Sequence, residues 1–132
     1  MTPAEVLAMA QQLLDRPDVK TARLWPRAAA LLARQALEQG LGDHWRRKGV
    51  ALHEVSTRAQ LICLPSYLDG TLAGRASQAW ASLTRACHHH PYELTPGRDE
   101  LLGWLGTVGE VLQGMAERGG TDGVAPFVVP GA

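Results

Sequence analysis

Asp69-Gly70-Thr71-Leu72-Ala73-Gly74-Arg75-Ala76-Ser77-Gln78-Ala79-Trp80-Ala81-Ser82-Leu83-Thr84-Arg85-Ala86-Cys87 carries one dominant period. Leu72, Ala76, Ala79, Trp80, Leu83 and Cys87 recur at the three- and four-residue steps of a helix with one apolar face. Asp69-Gly70-Thr71 supplies a turn and a cap, and Arg75, Gln78, Ser82, Arg85 and His89 fall on the opposite, polar face. Pro91 limits how far the helix extends, because the residue before a proline is pushed out of the α region. The expected end is at or just before His90.

The same period recurs on both sides. Upstream, Thr2-Pro3-Ala4-Glu5 has capping-box spacing with proline at the first helical position. It opens a helix with Val6, Met9, Ala10, Leu13 and Leu14 inward, closed by Asp15-Arg16-Pro17-Asp18. A second helix begins between Ala22 and Pro26 and runs to about Gly40 or Trp45. Trp25, Ala29, Leu32, Ala36, Leu37, Leu41 and Trp45 face its core side, and Arg23, Arg27, Arg34 and Glu38 its polar side. From Gly42 to Val55 the period fades, so Arg46-Arg47-Lys48-Gly49 reads as a basic loop. Thr57-Arg58-Ala59-Gln60 offers a cap and its partner for a third helix, which Pro65 kinks. Downstream, Thr95-Pro96 with Asp99 and Glu100 starts a fifth helix on Leu101, Leu105, Val108, Leu112 and Met115. Gly103, Gly106 and Gly109 each cost that helix about 1 kcal/mol of intrinsic propensity, which suggests a close helix crossing. With no strand signal and no repeat, the expected fold is all-α: an antiparallel bundle of four to five helices over residues 1–118, with 119–132 a flexible tail.

Composition narrows the function. The 132 residues are 45% apolar and 20% charged, and are large enough for one self-sufficient core. The formal net charge is zero, so no global field holds the chain on nucleic acid or an anionic membrane, and any polyanion site must be local. Eleven of the 13 cations are arginine, the side chain suited to bidentate phosphate contacts. Cys63 and Cys87 both lie in helical patterns beside apolar residues, which points to reduced thiols and a cytoplasmic protein. The longest apolar run, Ala28 to Ala33, is too short to cross a bilayer.

Chemistry concentrates in Arg85-Ala86-Cys87-His88-His89-His90-Pro91-Tyr92. On an unbroken helix Arg85 and His90 would point roughly 140° apart, but a break at His90 frees its ring to converge with Arg85 on one ligand. A histidine of near-neutral pKa can take the proton of a ribose 2′-OH or return one to the leaving 5′-oxygen. Arg85 is suited to stabilising the charge on the phosphorane, with His88 or His89 holding the substrate phosphate. Simpler roles compete: a cation at a helix C-terminus is favourable by itself, His89 suits a solvated face, and Cys87 suits the core. Cys87 with His88 or His90, joined by Cys63, is a soft ligand set for zinc or copper, although no Cys-x2-Cys pair supports a structural zinc. Arg47 and His53 form a second pair at similar spacing.

Arg85, His90 and Tyr92 together resemble the Arg-x4-His-x-Tyr signature of the HEPN superfamily. That resemblance implies a compact helical bundle acting as a metal-independent endoribonuclease in toxin–antitoxin or phage-defence systems, with no cofactor. It implies Arg85 and His90 as catalytic residues, an RNA substrate, and a homodimer that brings two motifs together. It also implies Tyr92 as the residue adenylylated by a paired nucleotidyltransferase antitoxin, where such an operon partner exists. The alternative within the same family is a non-catalytic helical module for binding or dimerisation.

Overall fold

The computed structural model describes residues 1–15, 25–88 and 94–120. Five α-helices follow in order: α1 (Pro3–Asp15), α2 (Trp25–Lys48), α3 (Thr57–Cys63), α4 (Gly70–Cys87) and α5 (Arg98–Gly120). Single 3₁₀ turns at Ala51–Glu54 and Leu64–Ser66 flank α3, and no strand occurs among the described residues. The all-α expectation holds.

Helix starts follow local chemistry. The Thr2 hydroxyl accepts from Glu5 N at 3.2 Å, and the Asp69 carboxylate accepts from Leu72 N at 3.1 Å, each satisfying an amide that the helix cannot. At α3 the cap is Ser56, whose Oγ accepts from Ala59 N at 3.2 Å, one residue ahead of the expected Thr57. Gln60 is thereby released from capping and turns inward. Pro65 does not kink α3 but ends it, converting the chain to the 3₁₀ turn.

The basic stretch Arg46-Arg47-Lys48 is the last turn of α2 and not a loop. Two features carry the helix through it. Cations are favourable at a helix C-terminus, where the carbonyl ends gather negative charge. Gly49 then takes φ 69°, with Gly49 N bonded to Arg46 O at 3.1 Å and Val50 N to Trp45 O at 2.9 Å. This is a Schellman closure, which needs a left-handed residue that glycine provides without strain.

Helices α1, α2, α4 and α5 form an up-down-up-down bundle with α2 across its centre. Their directions can be read from side-chain reach. Gln39 on α2 donates to Met1 O, Trp80 on α4 donates to Glu38 on α2, Arg75 on α4 pairs with Glu110 on α5, and Arg98 at the start of α5 donates to Leu14 O at the end of α1. Along α2 a run of buried alanines, Ala29, Ala30, Ala33 and Ala36, lets neighbours approach before Leu37, Leu41 and Trp45 fill the wider end. In α1 Val6, Ala10 and Leu14 are buried as expected and Leu7 joins them, while Met9, expected inward, is exposed. The close crossings also fall elsewhere than expected. A methyl at Gly40 would run into Leu112 and one at Gly114 into Leu72, whereas Gly103 and Gly106 face open space and Gly109 meets only Leu7 at 3.6 Å. Gly40 and Gly114 lie on helix seams; Gly103 and Gly106 lie on the outer side of α5. No helix among the described residues is long and apolar enough to cross a membrane.

Candidate functional site

Helix α4 stops at Cys87, before His90, and its final residues decide what is displayed. His88 is the C-cap, with φ −95° and ψ 138°, and its amide bonds to Arg85 O at 3.2 Å. The chain therefore leaves the helix in extended form three residues ahead of Pro91. Arg85 sits in the last turn, exposed, with no ion pair or hydrogen bond from its side chain among the described residues. His88 is exposed beside it. His89, His90 and Tyr92, the remaining expected site residues, lie outside the described residues.

Cys87, on the other side of the same turn, is half-buried against α2. Burial pushes its thiol above the ordinary range; Arg34 pulls it back down, Glu38 reinforces the rise, and Arg27 opposes it. An elevated thiol is a poor nucleophile and a poor metal ligand, in keeping with the packing role of the Trp80 and Leu83 face. Next to it, Arg34 Nε lies 3.2 Å from Glu38 Oε1, bent away from hydrogen-bond alignment, and Glu38 also accepts from Trp80 Nε1 at 3.3 Å. Cys63 is likewise a free thiol, and no three described His, Cys, Asp or Glu side chains gather to hold a metal ion.

The polar face of α4 continues from Arg85 as a line of side chains along α5. Arg75, Gln78 and Ser82 form one wall of an open groove of about 310 Å³, Trp104 and Thr107 the other, and Ala79 its floor. Arg75 is held in place by Glu110 and by Thr107 Oγ1 at 3.4 Å, while the Thr107 hydroxyl donates to Gly103 O at 3.1 Å. Gln78, Ser82 and the Trp104 indole N–H make no hydrogen bond among the described residues. Periodicity identified Arg75, Gln78 and Ser82 as one face, but nothing in it indicated that α5 would bring Trp104 beside them.

The second Arg and His pair is arranged differently. Arg47 is in the closed last turn of α2, and His53 sits in the 3₁₀ turn with Nδ1 buried and unpartnered and Nε2 3.9 Å from Glu54. Nearby is a histidine that the sequence reading overlooked. His44 is 0% exposed, and neither ring nitrogen has a hydrogen-bond partner among the described residues. Burial, with help from Lys48 and then Arg47, lowers its pKa from 6.5 to about 4, so it is neutral at physiological pH. The signal was its place three residues after Leu41 and seven after Leu37, on the core stripe. Its ring stacks edge-on to Trp45 at 5.1 Å. Trp45 in turn donates to Gln60 Oε1 at 3.0 Å, Gln60 donates to Val55 O at 2.9 Å, and Tyr67 packs edge-on against Trp45 at 5.2 Å.

Compared with protein-family models, with curated proteins and with solved structures, the chain matches none.

Proposed function

We propose that this chain is a HEPN-type endoribonuclease that cleaves RNA without a metal, with Arg85 and His90 as its catalytic residues. The observation that carries the reading is Arg85 itself: exposed and without a side-chain partner among the described residues at the end of α4, three residues before the first of three consecutive histidines. A guanidinium with no partner among the described residues has its donors free for phosphate, and an imidazole can take or give a proton.

In the proposed reaction His90 accepts the proton of the ribose 2′-OH as the 2′-oxygen attacks phosphorus. Arg85 stabilises the negative charge gathered on the phosphorane, the bond from phosphorus to the 5′-oxygen breaks, and that oxygen takes a proton from water. The products are a 2′,3′-cyclic phosphate and a 5′-hydroxyl. His88 and His89 hold the phosphate, a homodimer brings two such segments together, and adenylylation of Tyr92 by a nucleotidyltransferase antitoxin silences the site by placing a bulky anion in it. This makes the protein a toxin or phage-defence component.

Purified protein incubated with total cellular RNA tests the reading. Arg85→Ala and His90→Ala should each lower cleavage by about 10² or more, with EDTA without effect. If wild-type protein leaves RNA intact with and without divalent metal, and its expression is no more toxic than that of His90→Ala, the chain is a binding or dimerisation module instead.

A further inference from the structure

We infer that the groove between α4 and α5 is a nucleobase subsite, which takes one unstacked base of a single-stranded RNA whose backbone runs on towards Arg85. The inference deepens the ribonuclease reading and rests on it for the identity of the polymer. It is carried by the groove.

Three properties of the groove point to a base. Its one aromatic wall, Trp104, is half-buried, so the ring is braced against the core while part of it remains open to the groove. A braced indole is a stacking platform, and stacking is how proteins bind single strands of any sequence. Opposite it, Gln78 and Ser82 have no hydrogen bond among the described residues. A side-chain amide offers both a donor and an acceptor, as the edge of a base does, and a serine hydroxyl serves as either. Finally, Arg75 is preorganised: Glu110 and Thr107 hold its two terminal nitrogens, which fixes the plane of the guanidinium and leaves further N–H groups to donate. A volume of about 310 Å³ is at the low end for ligand sites and suits one base with its sugar rather than a helix of paired strands.

Position and charge link the groove to the proposed site. Gln78, Ser82 and Arg85 follow each other at four- and three-residue steps on one face of α4, so Arg85 lies about 4.5 Å beyond Ser82 along the helix axis. A base held at Ser82 and Trp104 thus places the adjoining phosphate within reach of a long arginine side chain. The zero net charge makes such a contact necessary. A chain with no global positive field cannot rely on counterion release over many phosphates, so its hold on RNA must come from a few arginines and from base contacts.

The test uses labelled oligonucleotides of about ten residues made of 2′-O-methyl RNA, which cannot undergo attack by the 2′-oxygen, so that binding is read by fluorescence anisotropy apart from cleavage. Wild-type protein should prefer one base among the A, C and U homopolymers. Trp104→Ala should raise Kd about tenfold or more and Trp104→Phe should largely restore it. Gln78→Ala should even out the base preference, and Ser82→Trp, which fills the groove without removing a core contact, should block binding while Tm stays at the wild-type value. If the wild type cleaves RNA but Trp104→Ala and Ser82→Trp bind as it does, or if a cleaving wild type binds none of the oligomers, the subsite is wrong and the nuclease reading stands. If the variants weaken binding as described but no cleavage is found, the subsite stands and the nuclease reading is wrong. Neither binding nor cleavage overturns both.

Discussion

At one end of the bundle α2 finishes in His44-Trp45-Arg46-Arg47-Lys48-Gly49; at the other, α4 finishes in Thr84-Arg85-Ala86-Cys87-His88. Both endings combine arginine and histidine with an apolar residue, and both are followed by another histidine within a few positions. The first is closed. Gly49 returns the chain through a Schellman turn, Val50 packs back on the core, and Trp45, Gln60 and Tyr67 lock α2, α3 and the second 3₁₀ turn together. The second is open: His88 leaves in extended form, and Arg85 and the groove residues Gln78 and Ser82 have no side-chain partner among the described residues. An arginine–histidine pair is therefore structural or available depending on how its helix terminates. At the α2 end the backbone and the Trp45 and Gln60 side chains spend their hydrogen bonds on the fold, leaving buried imidazole nitrogens of His44 and His53 unpartnered, whereas at the α4 end the Arg85 side chain, without a partner among the described residues, faces outward.

The contrast breaks most directly at Trp45. Trp45→Ala removes the largest fully buried side chain and strands the Gln60 amide, so it should cost about 3–5 kcal/mol in urea unfolding. A cost below about 1 kcal/mol would mean that the far end is not closed in the way described.

Acid probes the same end through His44. Its folded pKa of about 4 lies below the unfolded value of 6.5, so the unfolded chain binds the proton more readily. The stability contributed by the neutral ring is fully present above pH 6.5, declines as pH falls from 6.5 towards 4, and is gone below that. The loss over this window is about 3 kcal/mol. His44→Leu should flatten the limb between pH 6.5 and 4 relative to wild type, measured as Tm against pH; parallel curves would show that His44 is not the group responsible.

The smallest expected effect is at the open end. Arg85→Ala removes an exposed side chain that makes no ion pair among the described residues, and should change unfolding free energy by less than about 0.5 kcal/mol. A larger loss would make Arg85 a structural residue and erase the contrast.

Much of the fold was legible because helices announce themselves locally. Thr2 and Asp69 cap through their own side chains, and the stripes of α4 and α5 have the right period with nothing to contradict it. Errors arose where a local rule met a tertiary one. The basic run 46–48 reads as a loop because its polar residues interrupt the apolar period and hide the inward placement of His44 beside Trp45. Gly103 and Gly106 suggested a crossing because composition reports how many small residues there are and not which way they face. At the candidate site Arg85 was legible from its place on the polar face, whereas the wall that Trp104 builds beside it was not.

The sequence alone determined that this chain is a helical bundle and that α4 does not extend past His90, because capping, proline geometry and apolar period act over a few residues. Only the tertiary structure decided which histidine is buried and neutral, which glycines admit a neighbouring helix, and which polar groups are left without a partner. Those properties depend on what a helix distant in sequence places opposite each side chain, and a periodicity read along one helix carries no information about its neighbour's register.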